Sequence, residues 1–201
     1  IRVVQENYVR SWINRLNGKY QTKRHGKVIL SAVCYTEIKM LQSFAPLIDE
    51  NTRFLIIGTM PGTASLQAQE YYAFKHNQFW KIMADIFNEG CLLADYEQKC
   101  RCLLRHNVGL WDNLQYCERE GSLDSNIKNA QPNDFETLLQ EYPKVKKIFF
   151  NGQKSKGFFM KFHPKLAAGK ECAVLPSTSP ANAMINYAQK LDLWRKALVC
   201  G

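Results

Sequence analysis

The sequence predicts an α/β domain built on a mostly parallel sheet with helices on both faces. Two observations carry that prediction: four short apolar runs that each stop at glycine or a polar residue, and amphipathic stretches of helical period between them. Strands alternating with helices imply crossover connections, which cover a parallel sheet on both sides. In that architecture ligands bind beyond the carboxyl ends of the strands.

The elements follow in order. RFLIIG, from Arg53 to Gly58, reads as a first buried strand, and NQFWKIMADIF, from Asn77 to Phe87, as a helix with Phe79, Met83, Ile86 and Phe87 on one face. YEQKCRCLLRH reads as a helix, VGLWDNL as a second strand, and NDFETLLQEY as a helix with Asn133 as its N-cap. KKIFFNG is a third strand ending at Asn151, QKSKGFFMKF a helix, ECAVLPS a fourth strand and MINYAQKLDLWRKAL a closing amphipathic helix. Ahead of them, Val9, Trp12, Ile13 and Leu16 form a short helical stripe, followed by the basic connection NGKYQTKRHGK and a stretch, Val28 to Met40, ambiguous between strand and helix. Residues 1–42 are therefore read as a basic N-terminal extension and residues 43–201 as the main domain.

The net charge of +9 suggests a polyanionic partner, but its location matters more than its size. Residues 1–42 hold eight of the 27 basic residues and two of the 18 acidic ones, which leaves the rest of the chain at only +3. Charge alone does not mark the main domain as nucleic-acid binding. The seven cysteines include no C-x-x-C pair and no interleaved histidines at ligand spacing, so they read as reduced thiols of an intracellular protein. No metal and no cofactor is expected. Neither is a membrane partner, since no apolar run is long enough to cross a bilayer.

Two loops invite chemistry. Thr59 to His76 is far longer than the usual strand–helix connection of about 2–6 residues. Gly58 and Gly62 let its backbone approach a ligand, and Tyr71, Tyr72 and Phe74 offer planes for stacking. The competing reading is an irregular loop whose aromatics pack on the sheet. PSTSPANA supplies hydroxyls and amides suited to phosphate oxygens, although an ordinary helix cap reads the same way. Asn151 ends a strand with an amide that presents both a donor and an acceptor, as many turn-forming asparagines do.

In combination and in this order, GTMPGTASLQAQEYYAFKHNQFW, GLWDNLQYCEREGSLDSNI, IFFNG and LPSTSPANA resemble the uracil-DNA glycosylase superfamily, and within it the hypoxanthine-DNA (deoxyinosine) glycosylase branch. The resemblance runs from about Ser43 to Val199. It implies a three-layer α/β/α sandwich with a four-stranded parallel sheet. It also implies a base pocket formed by Gly58, Thr59, Met60, Pro61 and Tyr72, the Tyr72 ring stacking on an extruded base. Asn77 and Asn151 match the asparagines used for catalysis and base recognition. Ser177, Thr178, Ser179, Pro180 and Asn182 correspond to a motif that contacts the DNA backbone, with Ser65, Lys75 and Lys154 as further DNA contacts.

The departures sharpen this. Related mismatch-type enzymes have a water-orienting Asn at the Met60 position, which Met cannot replace, and uracil-specific members begin the second motif with His where this chain has Leu175. Phe74, Lys75 and His76 stand where relatives often carry His-Pro. The implied activity is a monofunctional glycosylase, acting as a monomer on double- or single-stranded DNA that contains a deaminated base, hypoxanthine ahead of uracil. The alternatives are a uracil- or mismatch-specific enzyme and a DNA-binding relative without catalysis. A nucleotide enzyme lacks support, because no G-x-G-x-x-G or G-K-[ST] element is present.

Overall fold

In the computed structural model the chain divides into units Ile1–Glu37 and Ile38–Gly201. The structure describes residues 40–87 and 93–199, all in the second unit. The helical stripe and basic connection read in the first 39 residues lie outside the described residues.

Four parallel strands form the central sheet: β2 (Phe54–Gly58), β3 (Val108–Asp112), β6 (Lys147–Asn151) and β7 (Glu171–Leu175), in the order β3-β2-β6-β7. These are the four strands that the apolar runs predict. Their side chains alternate between two separate cores, as the two-residue period of a strand requires. Ile56, Leu110 and Phe149 enter one core with Phe79, Ile82 and Met83 of α2 (Phe79–Phe87), Leu103 of α3 (Tyr96–Arg105) and Trp194 and Leu198 of α7 (Tyr187–Val199). Leu55, Ile57, Trp111, Ile148 and Phe150 enter the other with Phe135 and Leu138 of α4 (Phe135–Glu141) and Phe159 of α5 (Gln153–Phe162). Among the described residues two short helices complete the α-helical set, α1 (Thr63–Ala68) and α6 (Pro164–Gly169). The result is the expected three-layer α/β/α sandwich.

A second sheet was not expected. It is antiparallel, in the order β1-β4-β5, from β1 (Met40–Gln42), β4 (Leu114–Glu118) and β5 (Lys128–Pro132). Met40–Gln42 therefore pairs with a strand of the main domain. Met60, Leu114 and Cys117 make a small third core under this sheet, against Phe158 and Phe162 of α5.

The two sheets are joined by one residue. Asn113 separates β3 from β4; its backbone N donates to Gly58 O at 3.0 Å. Its buried side-chain Nδ2 donates to Gly58 O at 2.7 Å and to Ser155 O and Oγ at 3.0 Å each. Asn133, expected to cap α4, instead donates from Nδ2 to Asp112 O at 2.8 Å, and Asp134 caps the helix by accepting from Thr137 N. The cap moves by one residue because Asn133 is already committed to the sheet junction. Replacing Asn113 with Ala is expected to cost about 1–3 kcal/mol, because buried acceptors lose their donor. Urea unfolding would show this as a lower midpoint at an unchanged m-value.

Candidate active site

The carboxyl ends of β2, β3 and β6 place Gly58, Asp112 and Asn151 side by side, with the loop after β7 closing the group. Asn151 is tied to that loop twice: its Oδ1 accepts from Thr178 N at 2.9 Å and its Nδ2 donates to Thr178 Oγ1 at 3.0 Å. Gly152, with φ of +99°, lies so close to the loop that a Cβ there would stand 2.9 Å from Ser177 Cβ. Trp194 holds the same loop from behind by donating to Pro176 O, and Gln78 N donates to Thr178 O. Lys190, almost fully buried, donates to Gln78 Oε1 at 2.8 Å.

Tyr72 comes from the long loop after β2. Its backbone is left-handed (φ 56°), its ring stacks on Phe79 with centroids 4.0 Å apart, and its hydroxyl lies near the Asn151 side chain. Burial raises its pKa well above the usual phenol range, with the nearby Asp112 carboxyl adding to the effect. The structure thus brings Gly58, Tyr72, Asn151 and Thr178 together. Asn77 stands beside Gln78, half-buried, with Oδ1 accepting from Phe79 N at the start of α2. Tyr71 is part of the core, donating to Ala45 O, while Phe74 is exposed.

Three of the expected site residues have buried side chains. Met60 packs in the small core beneath the antiparallel sheet. Ser65 is buried, and its hydroxyl accepts from Ala73 N. Thr178 is fully buried, its hydroxyl taken by Asn151. Ser177, Ser179 and Asn182 are half-buried around it, and Pro180, Lys75 and Lys154 are exposed. Ser179 N donates to Ser177 Oγ and Asn182 Nδ2 to Ser177 O, so the loop is bonded to itself.

The loop after β2 is clamped by residues the sequence did not single out. Arg119, its side chain fully buried, donates to the carbonyls of Met60, Pro61 and Gly121 and pairs with Asp124 at 3.8 Å. Ser122 Oγ accepts from Thr63 N at 3.0 Å, and the Thr59 side chain lies near the Asp124 carboxyl. The GTMPG and EREGSLDSNI segments are therefore one structural unit. Asp112 was missed as well. The signal in the sequence was a charged residue directly after the apolar run VGLW.

Asp112 is 4% exposed, and its Oδ2 is buried with no hydrogen-bond partner among the described residues. A Cβ at Gly58 would stand 2.1 Å from Asp112 Oδ1 and 3.3 Å from Tyr72 Oη, so only glycine leaves room for the carboxyl. Burial first, and the Asp124 carboxyl second, push its pKa up to about 7 against the pull of Arg119.

With this geometry in place, the comparisons identify the chain. The profile of the Uracil DNA glycosylase superfamily matches residues 45–199. The chain belongs to that superfamily. Two relatives named "Hypoxanthine DNA glycosylase", from Methanosarcina barkeri and Methanosarcina acetivorans, are each 38% identical over 142 residues, covering 70% of this chain and 87% of theirs. A solution NMR structure of a Methanosarcina acetivorans protein, provisionally described as a uracil DNA glycosylase, is 34% identical with a TM-score of 0.68. It covers 80% of this chain and 97% of its own. As a member of the superfamily the chain is a DNA glycosylase, a hydrolase acting on DNA.

The buried carboxyl makes stability depend on pH. Its folded pKa of about 7 lies above the unfolded value, so the fold favours the neutral acid. That favourable share is complete below about pH 4 and is lost as pH rises through about 7. Asp112→Asn, which keeps the shape and removes the ionisation, is expected to exceed the parent in stability by about 2–4 kcal/mol at pH 8.5. At pH 3 the difference should nearly vanish; urea unfolding at the two pH values checks it.

Proposed function

We propose that the chain excises hypoxanthine from DNA as a monofunctional glycosylase, leaving an intact abasic site for base-excision repair. The observation that carries this is the meeting of Gly58, Tyr72, Asn151 and Thr178 at the strand ends. The names of the two Methanosarcina relatives favour hypoxanthine. A base stacked in the duplex is out of reach, and a mispaired inosine costs less to extrude than a paired base. The hypoxanthine edge offers an N–H donor beside a carbonyl acceptor, which the Asn151 amide can match once Thr178 has fixed its orientation. Tyr72 supplies the aromatic plane.

Cleavage builds positive charge on the sugar and negative charge on the departing base. Fixed amide donors aimed at the base lower that barrier electrostatically. Asn77 would hold the water or the base, a role compatible with capping α2. No lysine among the motif residues is placed as a Schiff-base nucleophile, which supports the monofunctional reading. Ser177, Ser179, Pro180 and Asn182 would meet the DNA backbone through their outer surfaces, with Lys75 and Lys154 toward phosphates. The enzyme would act as an intracellular monomer on duplex or single-stranded DNA.

Duplexes carrying one inosine, uracil or xanthine test this. Excision should be fastest at inosine, and strand breaks should follow only after alkali. Breaks before alkali would sink the monofunctional assignment, and faster uracil release would sink the specificity. Asn77→Ala should remove most base release, by about 10²-fold or more in single-turnover rate, with DNA affinity nearly intact. Unchanged single-turnover excision would remove Asn77 from the mechanism.

A further inference from the structure

Resting on the glycosylase reading, we propose that Asp112 is the general base of this site, taking the proton from the water that attacks the deoxyribose. Three observations place it there. Its carboxyl stands at the end of β3, against the Cα of Gly58 and near the Tyr72 hydroxyl, inside the group of residues that would surround the extruded base. Its Oδ2 is buried without a partner, so one oxygen has no structural duty among the described residues. The remaining polar groups at the strand ends are amides and hydroxyls: Asn151 bonded to Thr178, Asn113 to Ser155, Asn77 to Phe79 N. An amide is too weakly basic to take a proton from water, and Met60 is turned into a separate core. A carboxylate supplied from the neighbouring strand fills that need.

The step balances. One O–H bond of water breaks and its proton passes to the Asp112 carboxylate. The water oxygen bonds to C1′ of the deoxyribose, while the bond from C1′ to the purine nitrogen breaks and leaves its electron pair on the purine. The proton then passes from Asp112 to the departing purine, restoring the carboxylate and releasing a neutral base.

The charged and titratable groups facing Asp112 come from three directions. Asp124 disfavours its ionisation, Arg119 favours it, and the phenols of Tyr71 and Tyr72, whose own ionisation Asp112 opposes, stay protonated across the working range. Lys154 on α5 acts on Asp124 and so only indirectly on Asp112. This arrangement holds the carboxyl near neutrality, where a general base is most effective.

Single-turnover excision of hypoxanthine by the full-length protein, measured from pH 5 to pH 9, tests the assignment. The wild-type rate should fall about tenfold per pH unit on an acid limb with a midpoint near 7. Asp112→Asn should lose about 10²–10⁴-fold at pH 8 and have no such limb. A purely structural role would lower the rate and leave the limb in place, which overturns the inference. A wild-type rate that is flat, or that falls as pH rises through 7, overturns it too, whether or not the variant folds. Wild-type protein that releases no base overturns the glycosylase reading and the inference with it; release without the limb overturns the inference alone.

Discussion

The backbone carbonyls at the end of β2 have to be satisfied without water, and much of the site follows from how that is done. Gly58 O takes donors from Asn113, backbone and side chain, and from Ser155, while Met60 O and Pro61 O take the Arg119 guanidinium. Each donor comes from a different part of the chain: the link between the sheets, the start of α5, and the turn after β4. An unsatisfied buried carbonyl costs about as much as any single interaction in the domain contributes. The strand end is therefore held by donors from three parts of the chain, and a fixed backbone is what an electrostatically preorganised site requires.

Much of the fold was legible because the central strands are buried on both sides. RFLIIG, VGLWD, KKIFF and ECAVL are near-continuous apolar runs bounded by breakers, and such runs read as parallel strands. The antiparallel sheet was not legible. β1 is three residues long, and β5 is KNAQP, with no apolar alternation and no fully buried residue. Its pairing partners come from distant segments, and local pattern does not encode that.

The site divides along the same line. Asn151 was visible because it ends an apolar strand, and Tyr72 because it sits in a loop too long for a simple connection. Thr178 and Ser65 looked like surface hydroxyls because sequence does not reveal that their partners are Asn151 and Ala73 N. Asp112 was read only as part of the strand VGLWDNL. Its character arises from Gly58, Asp124 and Arg119, three residues that only the tertiary fold brings near it. The Met60 departure has a physical counterpart: its side chain contributes to packing beneath the second sheet, where an asparagine would strand an amide.

The double tie between Asn151 and Thr178 joins the end of β6 to the loop after β7 with no slack. On the proposed reading, one side of that joint carries the amide that meets the base and the other the segment that meets the DNA backbone. A displacement of either side would pass to the other through these two hydrogen bonds, so a change in how the strand is gripped would arrive as a change in how the base is read.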